Sequence, residues 1–435
     1  MYAFEITEMI EQAKLSNKPS FVIVPSIIGL YTRYSASNEA HSYLVSKEEA
    51  YDFRQNMGLD TSMFSVPASM YRDYANCFTK ADKMLELYSQ TLLKYKSKYK
   101  KEYELFEKFL TNDFDVKVDT SQITMHKGTE IGAQVLNIFA EQMPNIIGGS
   151  ADLANSTKTI ISKSGFINSG KFTNRNLRFG VREFAMAAIC NGISLHGGLI
   201  PFCSTFLTFS DYLKPAIRMS AMMNLPVTYI FTHDSITVGP DGPTHQPIEQ
   251  MAMIRSIPGM KLYRPADARE LLGCWQSILN SNNNPSALIL ARNEVDLLPG
   301  SDHTRAVMGG YVVHAEKTPL KAILIATGTE VQVAKNIAYD YIRAGEYGIR
   351  VVSMPCLEGY LERGEKYQEN VLPIGVKKII IEAGSSFGWH RIMNSGDEII
   401  SLDQFGYSGT KDEVLHAMNF SYEQILSRVK ELLDK

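Results

Sequence analysis

The chain of 435 residues is long enough for two or three domains with large cores. Its net charge of -3, with 45% hydrophobic and 21% charged residues, is typical of a globular protein and lacks the basic excess that binds nucleic acids or anionic membranes. The five cysteines lie at wide, unpatterned intervals, which favours the reduced thiols of a cytoplasmic protein over a disulfide framework or a zinc site. We therefore expect the chain to act on small molecules.

The first part of the chain has few predicted elements. Apolar residues at helical spacing predict helices over residues 4–16 and 46–57, and the run FVIV at 21–24 predicts a buried strand. These elements cannot cover both faces of a parallel sheet, so residues 1–77 are predicted to be the tail of a larger domain. Residues 78–122, rich in Lys, Glu, Tyr and Leu, are predicted to form a helical linker.

From residue 123 onward, strands and helices alternate, and this alternation predicts parallel sheets flanked by helices. A gap with Pro299 and Gly300 at 296–304 divides the pattern in two. We therefore predict α/β domains over residues 123–298 and 299–435, each a parallel sheet in three layers. The predicted elements are helices at 127–142, 212–223 and 329–341, a strand-to-helix passage at 178–193 whose helix begins at Glu183, and strands at 146–147, 227–231, 285–290, 321–327, 350–354 and 378–382.

Residues 184–210 form the longest run without a formal charge, and Asn191, His196 and Pro201 within it predict protein interior and not a membrane span. Glu183 directly precedes this run. A carboxylate in so apolar a setting is expected to hold or donate a proton near neutral pH. Glu183 could equally be a first-turn residue that stabilises the helix dipole.

The loop Thr232–Pro247, THDSITVGPDGPTHQP, follows the strand predicted at 227–231. Ligands bind at the carboxyl ends of parallel strands, and the prolines and glycines of the loop restrict its backbone. The pattern therefore predicts that His233, Asp241 and His245 are held ready for a polar, hydroxyl-rich substrate. An ordinary turn with solvated histidines, or a metal site made from the same side chains, are the alternatives.

Two further groups of residues are candidates for binding. Phe206, Phe209 and Tyr212 recur three residues apart, which places them on one helical face or turn, either as core or as a pocket for a ring. Ser156 and Arg292 follow predicted strand ends, as phosphate-binding residues do, although Arg292 could equally form a surface ion pair.

Taken together, these segments resemble the transketolases, thiamine diphosphate enzymes of the pentose phosphate pathway. The resemblance covers the end of the family's diphosphate-binding domain, its pyrimidine-binding domain and its C-terminal domain. It implies transfer of a two-carbon ketol unit from a ketose phosphate to an aldose phosphate. The matching segments are IGGSADLANS (147–156), RFGVREFAMAAICNGIS (178–194), TFLTFSDY (205–212), THDS and GPDGPTHQP in the loop, YRPAD (263–267) and EAGSSFGWH (382–390).

The resemblance also implies roles for individual residues. Glu183 takes the place of the glutamate that protonates N1′ of the cofactor's aminopyrimidine ring, and the aromatic residues that take the place of the ring pocket are Phe206, Phe209 and Tyr212. The residues implied to be catalytic are His41, Glu183 and His245. The residues implied to bind the sugar phosphates are His41, Ser156, His233, Asp241, His245 and Arg292.

Several family features have no counterpart in this sequence. The GDG motif and the metal ligands are absent, so no metal-binding residue is assigned and the ligands of Mg²⁺ or Ca²⁺ are expected from a separate N-terminal part. The arginine of the family's phosphate site falls on Thr129, with His126 and Lys127 nearby. The histidine after the catalytic glutamate is Phe184, and the glycine after His41 is Ser42.

The departures lead to an expectation about partners. We expect the chain to work only with a complementing N-terminal chain, as a homodimer or a mixed assembly, and to expose a large apolar area around Glu183 and Phe206. The alternative is a catalytically inactive relative that acts as a binding or regulatory subunit.

Overall fold

A computed structural model of the protein describes residues 2–281, 283–317, 319–345 and 348–434. The chain divides into two compact units, Met1–Tyr103 and Glu104–Lys435. None of the helices in the described part of the chain is long and apolar enough to cross a membrane.

The N-terminal unit is helical. The two helices predicted at 4–16 and 46–57 are confirmed, and the second begins with a capping box in which Ser46 and Glu49 each accept a hydrogen bond from the other's backbone N–H. A long helix crosses the boundary predicted at residue 77. The helices are α1 (Tyr2–Leu15), α2 (Lys47–Asn56), α3 (Ala68–Lys98) and α4 (Lys100–Thr111), which continues into the second unit.

The prediction of a buried strand at residues 21–24 is wrong. These residues belong to no strand, and their side chains are exposed, with Phe21 at 89% and Ile23 at 76% of full accessibility. A strand needs a neighbour to satisfy its backbone N–H and C=O groups, and the described residues supply none here. Strand propensity alone was therefore insufficient at this position.

The first sheet domain of the second unit consists of α5 (Gly128–Gln142), β1 (Ile146–Ser150), α6 (Ala154–Thr157), β2 (Asn176–Arg178), α7 (Glu183–His196), β3 (Ile200–Phe206), α8 (Ser210–Met222), β4 (Thr228–Thr232), α9 (Gln250–Arg255), β5 (Lys261–Tyr263), α10 (Ala268–Leu279) and β6 (Ser286–Leu290). Its six strands form one sheet in the order β2-β1-β3-β4-β6-β5, and all of them are parallel, as the alternating pattern predicted.

A second, five-stranded sheet follows, in the order β11-β10-β8-β9-β7. It is mixed, because the edge strand β7 pairs antiparallel with β9, whereas a wholly parallel sheet was expected. Its elements are α11 (His303–Ala306), β7 (Tyr311–His314), β8 (Leu320–Ala326), α12 (Glu330–Ala344), β9 (Gly348–Ser353), α13 (Leu357–Leu361), α14 (Glu365–Val371), β10 (Lys377–Ile381), β11 (Glu398–Ile400), α15 (Lys411–Ala417) and α16 (Tyr422–Leu433).

Both sheets are covered by helices on their two faces. In β4, Tyr229 and Phe231 pack into the core beneath α7, α8 and α9, while Ile230 packs into the core beneath α5 and α10. In β8, Leu324 and Ile325 likewise enter opposite cores. Successive side chains of a strand point to opposite faces, so this alternation confirms the predicted three-layer α/β fold.

The uncharged run 184–210 is only partly buried. Strand β3 lies in the core, but α7 exposes Phe184 at 54%, together with Ile189 and Leu195. The neighbouring helix α8 exposes Met222. The prediction that the whole run is interior is therefore wrong for α7. Of the apolar area expected around Glu183 and Phe206, the part beside Glu183 is exposed, whereas Phe206 itself is buried.

The two sheets are joined through buried ion pairs. Arg255 donates from Nη1 and Nη2 to the carboxylate of Glu382, at 2.7 Å for each bond. Arg264 pairs with Asp234 in the first sheet domain and with Glu330 in the second. Because these groups lie out of water, the pairs Arg255–Glu382 and Arg264–Glu330 fix the second sheet relative to the first.

Candidate active site

The loop Thr232–Pro247 leaves the carboxyl end of β4 and is held by contacts with a distant part of the chain. Gln246 Nε2 donates to the carbonyl oxygens of Gly239 at 3.1 Å and Tyr407 at 2.8 Å. Gly239 has φ +76°, and a Cβ there would lie 3.2 Å from the Gly409 carbonyl oxygen, so this position favours glycine. The loop is thus a fixed structure and not an ordinary solvated turn.

An aromatic cluster lies beside the loop. Phe206 ends β3, Phe209 lies in the following one-turn helix and Tyr212 lies in the first turn of α8, which brings their rings together at a strand-to-helix turn. The ring centroids of Phe206 and Phe209 are 5.8 Å apart, and those of Phe209 and Tyr212 are 6.2 Å apart. Phe206 is buried, whereas Tyr212 is 63% exposed, so the cluster has an open end that could stack on a ring.

Two histidines of the loop join this cluster. The ring centroids of His233 and Phe206 are 3.8 Å apart, and those of His245 and Phe209 are 5.3 Å apart. His245 Nδ1 is 3.0 Å from the hydroxyl of Thr244. The loop therefore brings both predicted histidines to the aromatic residues, although they are twelve positions apart in sequence.

His233 is held in an uncommon conformation. Its φ is +63°, in the left-handed region, its side chain is buried, and its Nδ1 lies 2.9 Å from the Thr232 hydroxyl. Burial, and secondarily the positive charge of Arg292, lowers the pKa of His233 to about 4. The imidazole is therefore neutral at pH 7, with one nitrogen that can donate a hydrogen bond and one that can accept one.

His233 also lines a polar cavity of about 780 Å³. The cavity brings together Ser156, His233 and Arg292, the three residues that were candidates for phosphate binding. Arg292 Nη1 donates to the Val238 carbonyl at 2.6 Å and to Asp241 Oδ2 at 3.3 Å, so Arg292 forms an ion pair, as the alternative predicted, and its binding of phosphate stays a prediction. Thr129, the residue expected at the position of the family's arginine, lines the same cavity.

Two further predicted catalytic residues, Glu183 and His41, lie on other elements of the chain. Glu183 is the first residue of α7 and is half-buried, and its carboxylate makes no ion pair or hydrogen bond within the described residues. The exposed side chains of Val181 and Phe184 beside it show that this chain alone does not enclose the carboxylate. His41 ends a one-turn helix, Asn38–His41, in the N-terminal unit and is exposed.

The described residues contain no group of three or more His, Cys, Asp or Glu side chains that could hold a metal ion. The alternative of a metal site in the loop therefore has no geometric support. The residues of the cavity wall that sequence reasoning missed include Lys158, Asn293 and Lys411. The first two adjoin predicted site residues and could have been found by their position, but Lys411 comes from the second sheet domain.

Three family models match the chain. They are the thiamine diphosphate binding domain of transketolase over residues 2–114, the transketolase pyrimidine binding domain over 126–296 and the transketolase-like C-terminal domain over 309–421.

Known proteins match over nearly the whole chain. It is 36% identical to the probable transketolase of Streptococcus pneumoniae, over 97% of this chain and 66% of that protein, and 37% identical to the transketolase of Bacillus subtilis, over 99% and 67%. The structure of the Pichia stipitis transketolase complex with sedoheptulose-7-phosphate has a TM-score of 0.92 at 30% identity, over 98% of this chain and 64% of that one. The chain thus spans about two thirds of the length of these relatives, and it belongs to the transketolase family.

Proposed function

We propose that this chain supplies the pyrimidine-binding and C-terminal domains of a transferase that moves a two-carbon ketol unit from a ketose phosphate to an aldose phosphate. The observation that carries the proposal is the position of His233. Its ring contacts Phe206 of the aromatic cluster and also lines the cavity that contains Ser156 and Arg292. A site for a ring and a site for a phosphate thus share one side chain.

The aromatic cluster and Glu183 fit the pyrimidine half of thiamine diphosphate. Tyr212 is open to solvent although its neighbours are packed, and the Glu183 carboxylate has no partner in the described residues. Thiamine diphosphate, when bound, supplies the carbon nucleophile of the reaction. Phe206, Phe209 and Tyr212 would pack against its ring, and Glu183 would hold a proton at N1′. The ligands of Mg²⁺ or Ca²⁺ would come from an N-terminal part of the diphosphate-binding domain outside these 435 residues.

The cavity and the loop would bind the sugar phosphate. Ser156, His233 and Arg292 offer a hydroxyl, an imidazole and a guanidinium to a phosphate group. Asp241 and His245 would bind sugar hydroxyls, and Asp241 is already oriented by Arg292. The expected position of His41 at the reacting carbon, and its catalytic role with Glu183 and His245, stay predictions.

The chain would act with partners in the cytoplasm. Exposed apolar side chains at residues 21–24 and on α7 suit contacts with a complementing N-terminal chain or with a second copy. On this proposal the isolated chain has no ketol transferase activity. The domain limits 1–77, 78–122, 123–298 and 299–435 describe the division that we propose.

A second candidate function is that of a catalytically inactive binding or regulatory subunit. Thr129 in the cavity wall favours it, because a hydroxyl in place of the family's arginine removes one positive charge from the phosphate site. Ketol transfer by the completed assembly would exclude this candidate.

The test is Glu183→Gln in an assembly of this chain with the N-terminal part of a transketolase. An amide keeps the volume of the side chain but cannot hold the proton, so exchange of the C2 proton of bound cofactor should fall by about 10² to 10⁴. Glu365→Gln is the matched control, since Glu365 is also the first residue of a helix, α14, and is exposed, so this substitution should leave exchange unchanged.

A helix-dipole role for Glu183 gives the opposite result. Such a charge contributes only about 0.3 to 1 kcal/mol to stability. Unchanged proton exchange together with a lowered melting temperature of the Glu183→Gln assembly would therefore refute the catalytic assignment.

A further inference from the structure

The polar cavity carries more positive charge than the candidate phosphate residues explain. Four cationic side chains line it, against the carboxylates of Glu130 and Glu294, while His233 is neutral at pH 7. The carboxylate of Asp241 offsets Arg292, with which it is paired, so the cavity has an excess of one positive charge, which the three lysines supply. The cationic residues are Lys127, Lys158, Arg292 and Lys411.

The three lysines of this cavity are not engaged elsewhere. Arg292 is paired with Asp241, but the Lys127, Lys158 and Lys411 side chains form no ion pair or hydrogen bond with any residue that the structure describes. A lysine ammonium has three donors and is strongly hydrated, so unpaired lysines that converge on one cavity favour an anionic ligand.

Contacts between the two sheet domains place Lys411 in this wall. Lys411 begins α15, which has a capping box between Thr410 and Glu413. The segment before it is bound to the loop of the first domain, because Ser408 Oγ donates to the Pro240 carbonyl at 2.8 Å and the Tyr407 carbonyl accepts from Gln246 at 2.8 Å. The segment 407–411 is therefore fixed against the loop that carries His233.

The position of Lys158 is set by the end of a short helix. It follows α6, the short helix that contains Ser156, and has φ +57° in the left-handed region that commonly ends helices. Its backbone turns directly after Ser156, so its side chain and the Ser156 hydroxyl line the same cavity.

We infer that Lys411 and Lys158 bind the phosphate group of the substrate, so that the C-terminal domain takes part in substrate recognition. This inference rests on the proposed function and deepens it. A phosphate monoester carries about -1.5 to -2 charges at pH 7, so the excess positive charge of the cavity would attract it. The lysines would supply the charge that an arginine at position 129 would otherwise bring.

The test is calorimetric titration of the full chain with ribose 5-phosphate and, separately, with ribose. Hydrogen bonds to charged groups are worth about 1.5 to 3 kcal/mol, so Lys411→Met and Lys158→Met should each weaken binding of ribose 5-phosphate roughly tenfold or more. Binding of ribose should not change. Lys411→Arg should retain most of the affinity, and the control Lys366→Met, an exposed lysine on α14 that lines none of the cavities described, should bind as the wild type does.

Two results would overturn the inference. One is equal affinity of the wild type for ribose 5-phosphate and ribose. The other is wild-type affinity of the Lys411→Met chain, or an equal loss in Lys366→Met. A failure of the proposed function gives a different result. Binding of ribose 5-phosphate would still depend on the lysines, but an assembly of this chain with the N-terminal part of a transketolase would show no ketol transfer.

Discussion

Replacing Arg264 by methionine is expected to lower the free energy of unfolding by about 3 to 5 kcal/mol, the usual cost of leaving a buried charge without its partner. Arg264 is 1% exposed. Its Nε and Nη2 donate to Asp234 Oδ2 at 3.2 and 2.6 Å, and its Nη1 donates to Glu330 and to the Thr327 hydroxyl. The substitution would leave two carboxylates in the interior with no cation beside them.

The loss should depend on pH with a defined sign. Burial raises the pKa of Glu330, and the charge of Arg264 opposes that rise. Without Arg264 the pKa of Glu330 in the folded state rises further above its unfolded value, so stability is lost as pH increases through that range. The deficit of Arg264→Met should therefore be larger at about pH 8 than at about pH 5.

Urea denaturation followed by tryptophan fluorescence measures both effects. The chain has two tryptophans, Trp275 in α10 of the first sheet domain and Trp389 in the second, so single-tryptophan versions report each domain. The control is Arg428→Met, which breaks an exposed pair with Glu431 at 3.0 Å and should cost less than about 1 kcal/mol. A loss in Arg264→Met no larger than that of the control, or one that is equal at the two pH values, would refute the reasoning.

Three further predictions concern other groups. Burial raises the pKa of Glu270 to about 7, so the stability that protonated Glu270 contributes is complete below its unfolded pKa and is lost as pH rises to 7. In urea denaturation, Glu270→Gln should therefore lose less stability than the wild type between about pH 5 and 8. An equal loss in the two proteins would contradict this. Arg292→Met should raise the pKa of His233 above about 4, which NMR titration of the ring protons would show, and an unchanged titration would argue against the electrostatic contribution. Leu195→Glu places a charge on the exposed face of α7 and should dissociate dimers or mixed assemblies, as measured by sedimentation at roughly tens of micromolar protein. A wild-type chain that is already a monomer at this concentration would contradict a role of this face in assembly.

Much of the candidate site could be predicted because its residues lie at the ends of predicted strands. His233 follows β4, Arg292 follows β6 and Ser156 lies shortly after β1, and the carboxyl ends of parallel strands meet at one edge of the sheet. Lys411 could not be found this way, because its position depends on how the second sheet domain packs against the loop. No local pattern contains that information.

The α/β class, the helices at 4–16 and 46–57 and the loop that carries the histidines follow from local patterns, because hydrophobic periodicity and the restrictions of Gly and Pro act over a few residues. The absence of a strand at residues 21–24, the antiparallel direction of β7 and the exposed apolar face of α7 follow from no local pattern. Each of these depends on which distant segments lie alongside. A strand exists only with a partner, and an apolar helix face is buried only when another surface covers it, so neither property belongs to the local sequence.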